Sequence, residues 1–450
     1  MKKNLLTLSL SACLSLLALQ TVSANSSHLT LENVTKDVTY LASDQLKGRA
    51  SFSPEIDQAA SYIAQRYNDI GLVPMSSQNS DKNTSYKQTF TVHSITPSSL
   101  SLKLNNQKIS NEHLAMASTI TNISWQKSDI DNGKVKQHII TAEDNMRAML
   151  SELNKEGGQH FVIINTHHAK MFTRYQAYFQ RGLTKLNLSH QGAIVMVLAD
   201  DINLDNLSVE ATTDITKKSL TNVVGVLPGK TKPEEIVLYS SHYDHLGDHG
   251  KDDDKIYNGA DDDASGTSAV INIAQYYANK GDNARTLVFA AFTAEEIGGF
   301  GSKYFSQQLD PKDITAMINI EMIGKPSKFG AGSVWMTGME RSNLGQLLND
   351  NLKDQNIKIH QDPYPEQGLF YRSDNATLAR LGVPAHSFSS TQLDKDEHYH
   401  KVSDDLASLD LNSMFKVIES LAIGTQGLVD GNVTPTRIDP AKIKSGGLIY

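Results

Sequence analysis

Ile236-Val-Leu-Tyr-Ser-Ser-His-Tyr-Asp-His245, followed by Ala264 to Asn279 and then by Thr286-Leu-Val-Phe-Ala-Ala-Phe292, is the stretch from which the fold of this chain is read. The first and last segments are near-continuous apolar runs, the pattern of strands buried on both faces. The segment between them has helical spacing. A third run, Ala316-Met-Ile-Asn-Ile320, repeats the pattern downstream. Strand–helix alternation of this kind predicts an α/β sheet with a substantial parallel part.

Each of the three predicted strands runs into groups that can hold a metal. Ser241-His-Tyr-Asp-His245 ends the first, Glu295-Glu296 follows the second by two residues, and Glu321 ends the third. Open α/β sheets bind ligands outside the carboxyl ends of their strands, so three distant segments are predicted to meet at one edge. Asn258-Gly-Ala-Asp-Asp-Asp-Ala-Ser-Gly266 adds three carboxylates on a glycine-flanked turn before the helix. Glu397-His-Tyr-His-Lys-Val-Ser-Asp-Asp405 adds imidazole near the C-terminus. Imidazole mixed with carboxylate favours zinc or a similar borderline ion over calcium or magnesium. Alone, His242 would be a structural histidine, the acidic turn a solvated loop, and the glutamate pair an exposed helix start. Together, at successive strand ends, they predict a metal site. Asp252-Asp253-Asp254 has no strand beside it and reads as a solvated loop.

The rest of the chain bounds the answer. The 450 residues suffice for one large domain and a smaller one. Hydrophobic residues make up 39% and charged residues 20%, an ordinary globular composition. A net charge of −8 gives no electrostatic reason to expect nucleic acid or an anionic membrane as partner. Residues 1–24 have the three parts of a secretory signal: Lys2-Lys3, an apolar run from Leu5 to Leu19, and small residues up to Ala24. A periplasmic or secreted protein is therefore expected. Leu10-Ser11-Ala12-Cys13 also resembles a lipoprotein box. The short apolar stretch before Cys13 and the apolar residues after it favour cleavage after Ala24. No later segment approaches the ~20 apolar residues of a membrane span, and the mature chain would contain no cysteine.

Upstream, residues 30–72 read as helical, with a start at Ser53-Pro54-Glu55 and a C-cap at Gly71. Residues 76–89 read as a loop. Between 96 and 214 the pattern is less regular. Phe161 to Asn165 and Ala193 to Leu198 are strand-like, and Asp144 to Leu153 is helix-like. His167 and His168 are adjacent, so their side chains diverge, and they read as surface residues.

The ordered set of motifs resembles the two-zinc aminopeptidase family, which also includes glutamate carboxypeptidases and the transferrin receptor ectodomain. The matching residues are His242-Tyr-Asp244, Gly259 to Gly266, Ala294-Glu-Glu-Ile-Gly-Gly-Phe-Gly-Ser302, Asn319-Ile-Glu-Met322, Tyr371-Arg-Ser-Asp374 and Tyr399-His400. Leu41-Ala-Ser-Asp-Gln-Leu-Lys-Gly-Arg49 resembles secreted bacterial members. The resemblance implies a three-layer α/β/α zinc exopeptidase fold, phosphorylase/hydrolase-like, with a mixed sheet. The peptidase domain would comprise 25–95 and 215–450. Residues 96–214 would be an inserted lid or protease-associated-like domain.

Carried over residue by residue, the resemblance makes Asp262 the carboxylate that bridges two zinc ions. His242 and Glu321 complete one position, and Glu296 and His400 the other. Asp244 would orient His242, and the peptide after Asp262 would be cis. Glu295 would be the general base, taking a proton from the attacking water and passing it to the leaving amine. Tyr371 would donate to the oxyanion, with a register open by one residue toward Phe370. Glu321 stands where many members have aspartate, and Asn375 where histidine is frequent. His398 also precedes His400 by two residues, but the spacing from His400 to Asp404 fits the family. The implied activity is removal of N-terminal residues from peptides. The alternatives are a carboxypeptidase, for which Arg372 is the candidate cation, and a glutaminyl cyclase-like acyltransferase with one zinc. A receptor-like binding role would need the ligand residues to be lost, and here they are retained. Oligomeric state, native metal and side-chain preference stay open.

Overall fold

A computed structural model describes residues 29–75, 85–200, 204–251, 253–355, 357–444 and 446–450. The signal-like segment 1–24 lies outside the described residues. No helix among the described residues is long and apolar enough to cross a membrane.

The main sheet is mixed. Eight of its twelve strands are β1 (Lys87–Leu104), β2 (Leu207–Leu227), β3 (Lys232–His242), β4 (Arg285–Phe292), β5 (Ile314–Ile320), β6 (Val334–Met336), β7 (Ile359–Gln361) and β8 (Ala385–Ser389). Their order across the sheet is β7-β6-β8-β5-β3-β4-β2-β1. The centre is parallel: β3 pairs with β4 and with β5, and β5 pairs with β8. β2 joins β4 antiparallel, as β6 joins β8.

Alternation along the central strands sorts their side chains onto two covered faces. Val237, Tyr239, Leu287 and Phe289 join the core formed with the helices Leu31–Leu41, Pro54–Ile70, Gly266–Lys280 and Leu411–Gly424. Ile236, Leu238, Val288 and Ala290 join a second core with Phe305, Leu378 and Ala379. Helices on both faces of the sheet make the α/β three-layer arrangement expected from the strand–helix alternation. It also explains the near-continuous apolar runs within β3, β4 and β5.

The N-terminal segment forms two helices rather than one continuous stretch. The second starts as its sequence predicts: the Ser53 side chain accepts the Ile56 N–H at 3.2 Å, Pro54 occupies the first turn, and Gly71 ends the helix with φ 85°. The loop expected over 76–89 is shorter at its described end, because β1 begins at Lys87. The helix expected from Ala264 begins at Gly266, after an irregular turn Ala260–Ser265.

Residues 114–198 build a second sheet of four strands, Leu114–Ser118, Lys136–Ile140, Gln159–Ile164 and Ala193–Leu198. The expected helix in this region lies at Met146–Glu156. Apolar cores cover both faces of the sheet. β1 and β2 form a long antiparallel ribbon that runs from the main sheet into this region. The C-terminus returns here too: Asn154 Nδ2 donates to the Tyr450 carbonyl at 2.7 Å, and Ile449 is buried in the core.

Candidate metal centre

His242 is the last residue of β3, and Glu321 directly follows β5. β3 pairs in register with both neighbours, so the two side chains emerge at the same edge. Glu295 and Glu296 lie just beyond β4. The turn Ala260–Ser265 presents Asp262 to this edge, and His400 comes from the segment before Leu406–Ser408.

Two sets of donor atoms result. His242, Asp262 and Glu321 form one, and His245, Asp262 and Glu296 the other, with ligand atoms within 4.8 Å of one another in each. Asp262 belongs to both. Its Oδ1 lies 3.2 Å from His242 Nε2, and its Oδ2 lies 3.2 Å from His400 Nε2. His242 Nε2 is 3.3 Å from Glu321 Oε1, and His400 Nε2 is 3.3 Å from Glu296 Oε2. The five residues predicted as metal ligands are thus brought together. His245 joins them unassigned: its Nδ1 is 2.8 Å from Glu296 Oε1. Its place in the quoted run Ser241 to His245 is the one signal for it in the sequence.

Other candidates lie differently. The His242 Nδ1 hydrogen-bonds the main-chain oxygen of Asp244 at 3.1 Å, and the Asp244 carboxylate is farther, at 3.8 Å. That carboxylate instead accepts the N–H groups of Glu295 and Glu296. Tyr371 packs against Phe370, with Arg341 and Lys444 over its ring. The phenol beside the donor sets belongs to Tyr399, whose ring stacks on His400 with centroids 3.9 Å apart. His398 turns away to Ser403. Arg372 reaches the Tyr399 hydroxyl at 3.4 Å, and Asn375 is buried against Phe370 and Ser387.

Carboxylates hold the strand ends from behind. Asp263 accepts the N–H groups of His242, Gly266 and Met322, which ties β3 to the residue after Glu321. The Asp262–Asp263 peptide is cis. Asp404 accepts the N–H groups of Asp261 and Asp262, and Asp261 accepts the Gly324 N–H at 2.7 Å and the Thr391 hydroxyl at 2.6 Å. The Glu321 carboxylate accepts the Ser373 hydroxyl. Ala294, Met322 and His400 have φ of 59°, 51° and 55°, a left-handed conformation uncommon outside glycine. Met322 adjoins Glu321, His400 lies beside Asp262 and Glu296, and Ala294 precedes the glutamate pair, so the strain gathers at the site.

The charge balance is lopsided. Asp244, Asp261, Asp262, Asp263, Asp374 and Asp404 are buried, with Glu295, Glu296 and Glu321 only partly exposed. Among the described residues, Arg49 and Lys325 are buried cations beside them. Arg49 donates to the carbonyls of Tyr243, Leu41, Asn258 and Gly259. Its burial brings its pKa down to about 10, against the pull of Asp244 and Asp262. Burial, with Glu321, Asp374 and Glu296 nearby, pushes the Glu295 carboxyl well above the usual range, and His242 opposes this. So many buried carboxylates require compensating cations. Both nitrogens of His245, the Glu296 Oε1 and both oxygens of Asp374 also lack a hydrogen-bond partner among the described residues. Orphaned imidazole and carboxylate atoms around a shared aspartate fit divalent metal of the zinc type.

A relative that is 34% identical over 108 residues is a probable zinc metalloprotease of Pyrenophora teres f. teres, matched over 24% of this chain and 23% of that protein. Leucine aminopeptidase 2 of Trichophyton rubrum is 26% identical over 256 residues, 50% of this chain and 49% of that protein. The chain spans between 20% and 49% of the length of such curated relatives. The solved aminopeptidase from Aneurinibacillus sp. strain AM-1 shares the fold, with a TM-score of 0.54 and 17% identity over 93% of this chain and 97% of that one. Residues 222–423 match Peptidase family M28, and that span contains every residue of both donor sets.

Proposed function

We propose that this protein is a two-zinc aminopeptidase that removes N-terminal residues from peptides. The observation that carries the reading is the division of Asp262 between two histidines, Oδ1 toward His242 and Oδ2 toward His400, beside a glutamate pair. His242, Asp262 and Glu321 would hold one ion, and Asp262, Glu296 and His400 the other. When bound, zinc supplies Lewis-acid polarisation of the scissile carbonyl and acidifies water. Glu295, left free while its neighbour holds metal, takes the proton of the attacking water and gives it to the leaving amine. The Tyr399 hydroxyl, rather than that of Tyr371, donates to the oxyanion. The excess of carboxylates suits a free ammonium group, which favours N-terminal over C-terminal cleavage.

A cleft of about 950 Å³ runs from Glu296 and Ile297 to Arg181, Lys185 and Tyr450. Residues 96–214 would then act as an inserted domain that shapes substrate access. Residues 1–24, as an export signal, would direct the enzyme to peptides in the periplasm or outside the cell. The match to Peptidase family M28 supports the peptidase reading, and the leucine aminopeptidase relative supports the choice within it.

The test is elemental analysis of the purified chain with assays on amino-acid anilides bearing free or blocked amines. Two zinc ions, cleavage of free-amine substrates alone, and a Glu295→Gln variant that keeps metal but loses turnover by roughly 10²–10⁴-fold are expected. One ion with no hydrolysis would bring the cyclase alternative forward instead, and cleavage from the C-terminus the carboxypeptidase.

A further inference from the structure

Resting on the metal reading above, we infer that His245 is a fourth protein ligand of the second metal position, so that the two positions are unequal: the second is closed and the first is open. His245 is fully buried, and neither ring nitrogen has a hydrogen-bond partner among the described residues. Its Nδ1 lies 2.8 Å from Glu296 Oε1, yet the contact is not a hydrogen bond, and Glu296 Oε1 is itself unpartnered. Two donor atoms this close, neither directed along the other's bonding axis, suit a common cation better than each other.

The remaining separations lie within a few tenths of an ångström of what a shared ion needs. His245 Nδ1 is 3.9 Å from Asp262 Oδ2, and His400 Nε2 is 3.2 Å and 3.3 Å from Asp262 Oδ2 and Glu296 Oε2. Ligands at ~2.0–2.2 Å from a tetrahedral zinc stand about 3.3–3.6 Å apart. The imidazole rings of His245 and His400 approach from different sides, with centroids 5.8 Å apart and planes at 69°. Gly259 makes room for this: a Cβ there would stand 2.5 Å from His245 Cγ.

Among the described residues the first position has no such fourth donor. His242, Asp262 and Glu321 are its protein groups. The other His242 nitrogen is taken by the Asp244 carbonyl, and the other Glu321 oxygen by Ser373. Three protein ligands with an open place mark a catalytic zinc, and four mark a closed one. An ion held by His242, Asp262 and Glu321 would therefore be the exchangeable one, and an ion held with His245 the retained one.

Stepwise dialysis of the zinc-loaded, full-length protein against dipicolinate, with metal counted at each step, tests this. Wild type is expected to lose one ion early and keep the other to at least tenfold higher chelator. Glu321→Gln should lose the early ion more readily and leave the late one unchanged. His245→Ala should lower retention of the late ion at least tenfold and change the visible spectrum of the cobalt-substituted protein. Two ions that leave wild type together would overturn the inference without any variant, as would His245→Ala with wild-type retention and spectrum. A wild-type protein that binds no metal would overturn the metal reading itself, and this inference with it.

Discussion

Asp244 Oδ1 accepts the main-chain N–H of Glu295 at 3.0 Å. Its other oxygen lies 3.4 Å from the Glu296 N–H and accepts the Ser51 hydroxyl at 3.1 Å. One buried carboxylate at the end of β3 thereby fixes the turn beyond β4 on which both glutamates sit. The aspartate of the His-x-Asp motif acts on the neighbouring strand's loop, and its main-chain oxygen serves His242. Asp244→Asn keeps the size but places an N–H₂ group where an acceptor is needed. The expected result is a folded protein with kcat/KM lowered roughly 10–100-fold, as for groups that support metal ligands. Ser51→Ala should cost less, because it removes a donor and leaves both main-chain contacts in place. Steady-state kinetics with metal counting would check both.

Lys325 stands among three carboxylates, with Nζ 2.8 Å from Asp396, 3.5 Å from Asp261 and 3.6 Å from Asp404. Two of these hold the turn that carries Asp262. Lys325→Met would leave buried negative charges without their partner, at a cost of about 3–5 kcal/mol. Chemical denaturation at neutral pH should show that loss, and activity should fall with it. A variant as stable as wild type would mean that the carboxylates find another cation.

The strands and most metal donors were legible because burial on both faces leaves an unbroken apolar run. The run ends where polarity returns, at His242, near Glu295 and at Glu321. Lys325, Asp404 and Asp261 were not legible as a unit. They act through main-chain N–H groups of distant segments, and no sequence spacing encodes that. β1 and β2 escaped for another reason. Their exposed positions carry Ser, Thr and Lys, so the alternation of Leu207, Val209 and Ala211 was diluted in a region that looked irregular. His245 was visible but unassigned, since three residues beyond His242 and past the end of β3 a side chain has no fixed partner until the turn from Gly259 closes against it.

Gly266 allows the helix Gly266–Lys280 to start against the end of β5. A Cβ there would stand 2.3 Å from the Ile320 carbonyl oxygen and 2.4 Å from Asp263 Oδ1. Both are held atoms, so the backbone would have to move. Gly266→Ala should destabilise by roughly 1–3 kcal/mol or more. It should also lower metal affinity, because Glu321 follows Ile320 and Asp263 follows Asp262. Thermal melts with and without added zinc would separate the two effects. An unchanged midpoint and metal affinity would contradict this account of the glycine.

His386 on β8 is fully buried. Its Nδ1 hydrogen-bonds the Thr337 carbonyl at 2.8 Å, and its Nε2 pairs with Ser342 at 2.8 Å. Burial, with Arg341 nearby, holds its pKa down to about 4, against a partial pull upward from the Thr337 bond. In the unfolded chain the imidazole titrates at about 6.5. Between these values the unfolded state binds the extra proton, so stability rises with pH in that window and falls as the pH drops from 6.5 toward 4. At 1.4 kcal/mol per pH unit, His386 alone should remove roughly 3 kcal/mol across it. His386→Gln keeps hydrogen-bonding capacity but cannot titrate. Its denaturation free energy should fall less steeply over this range than that of wild type. Parallel curves for the two proteins would mean that the folded protein accepts the charge of His386 as readily as the unfolded chain does.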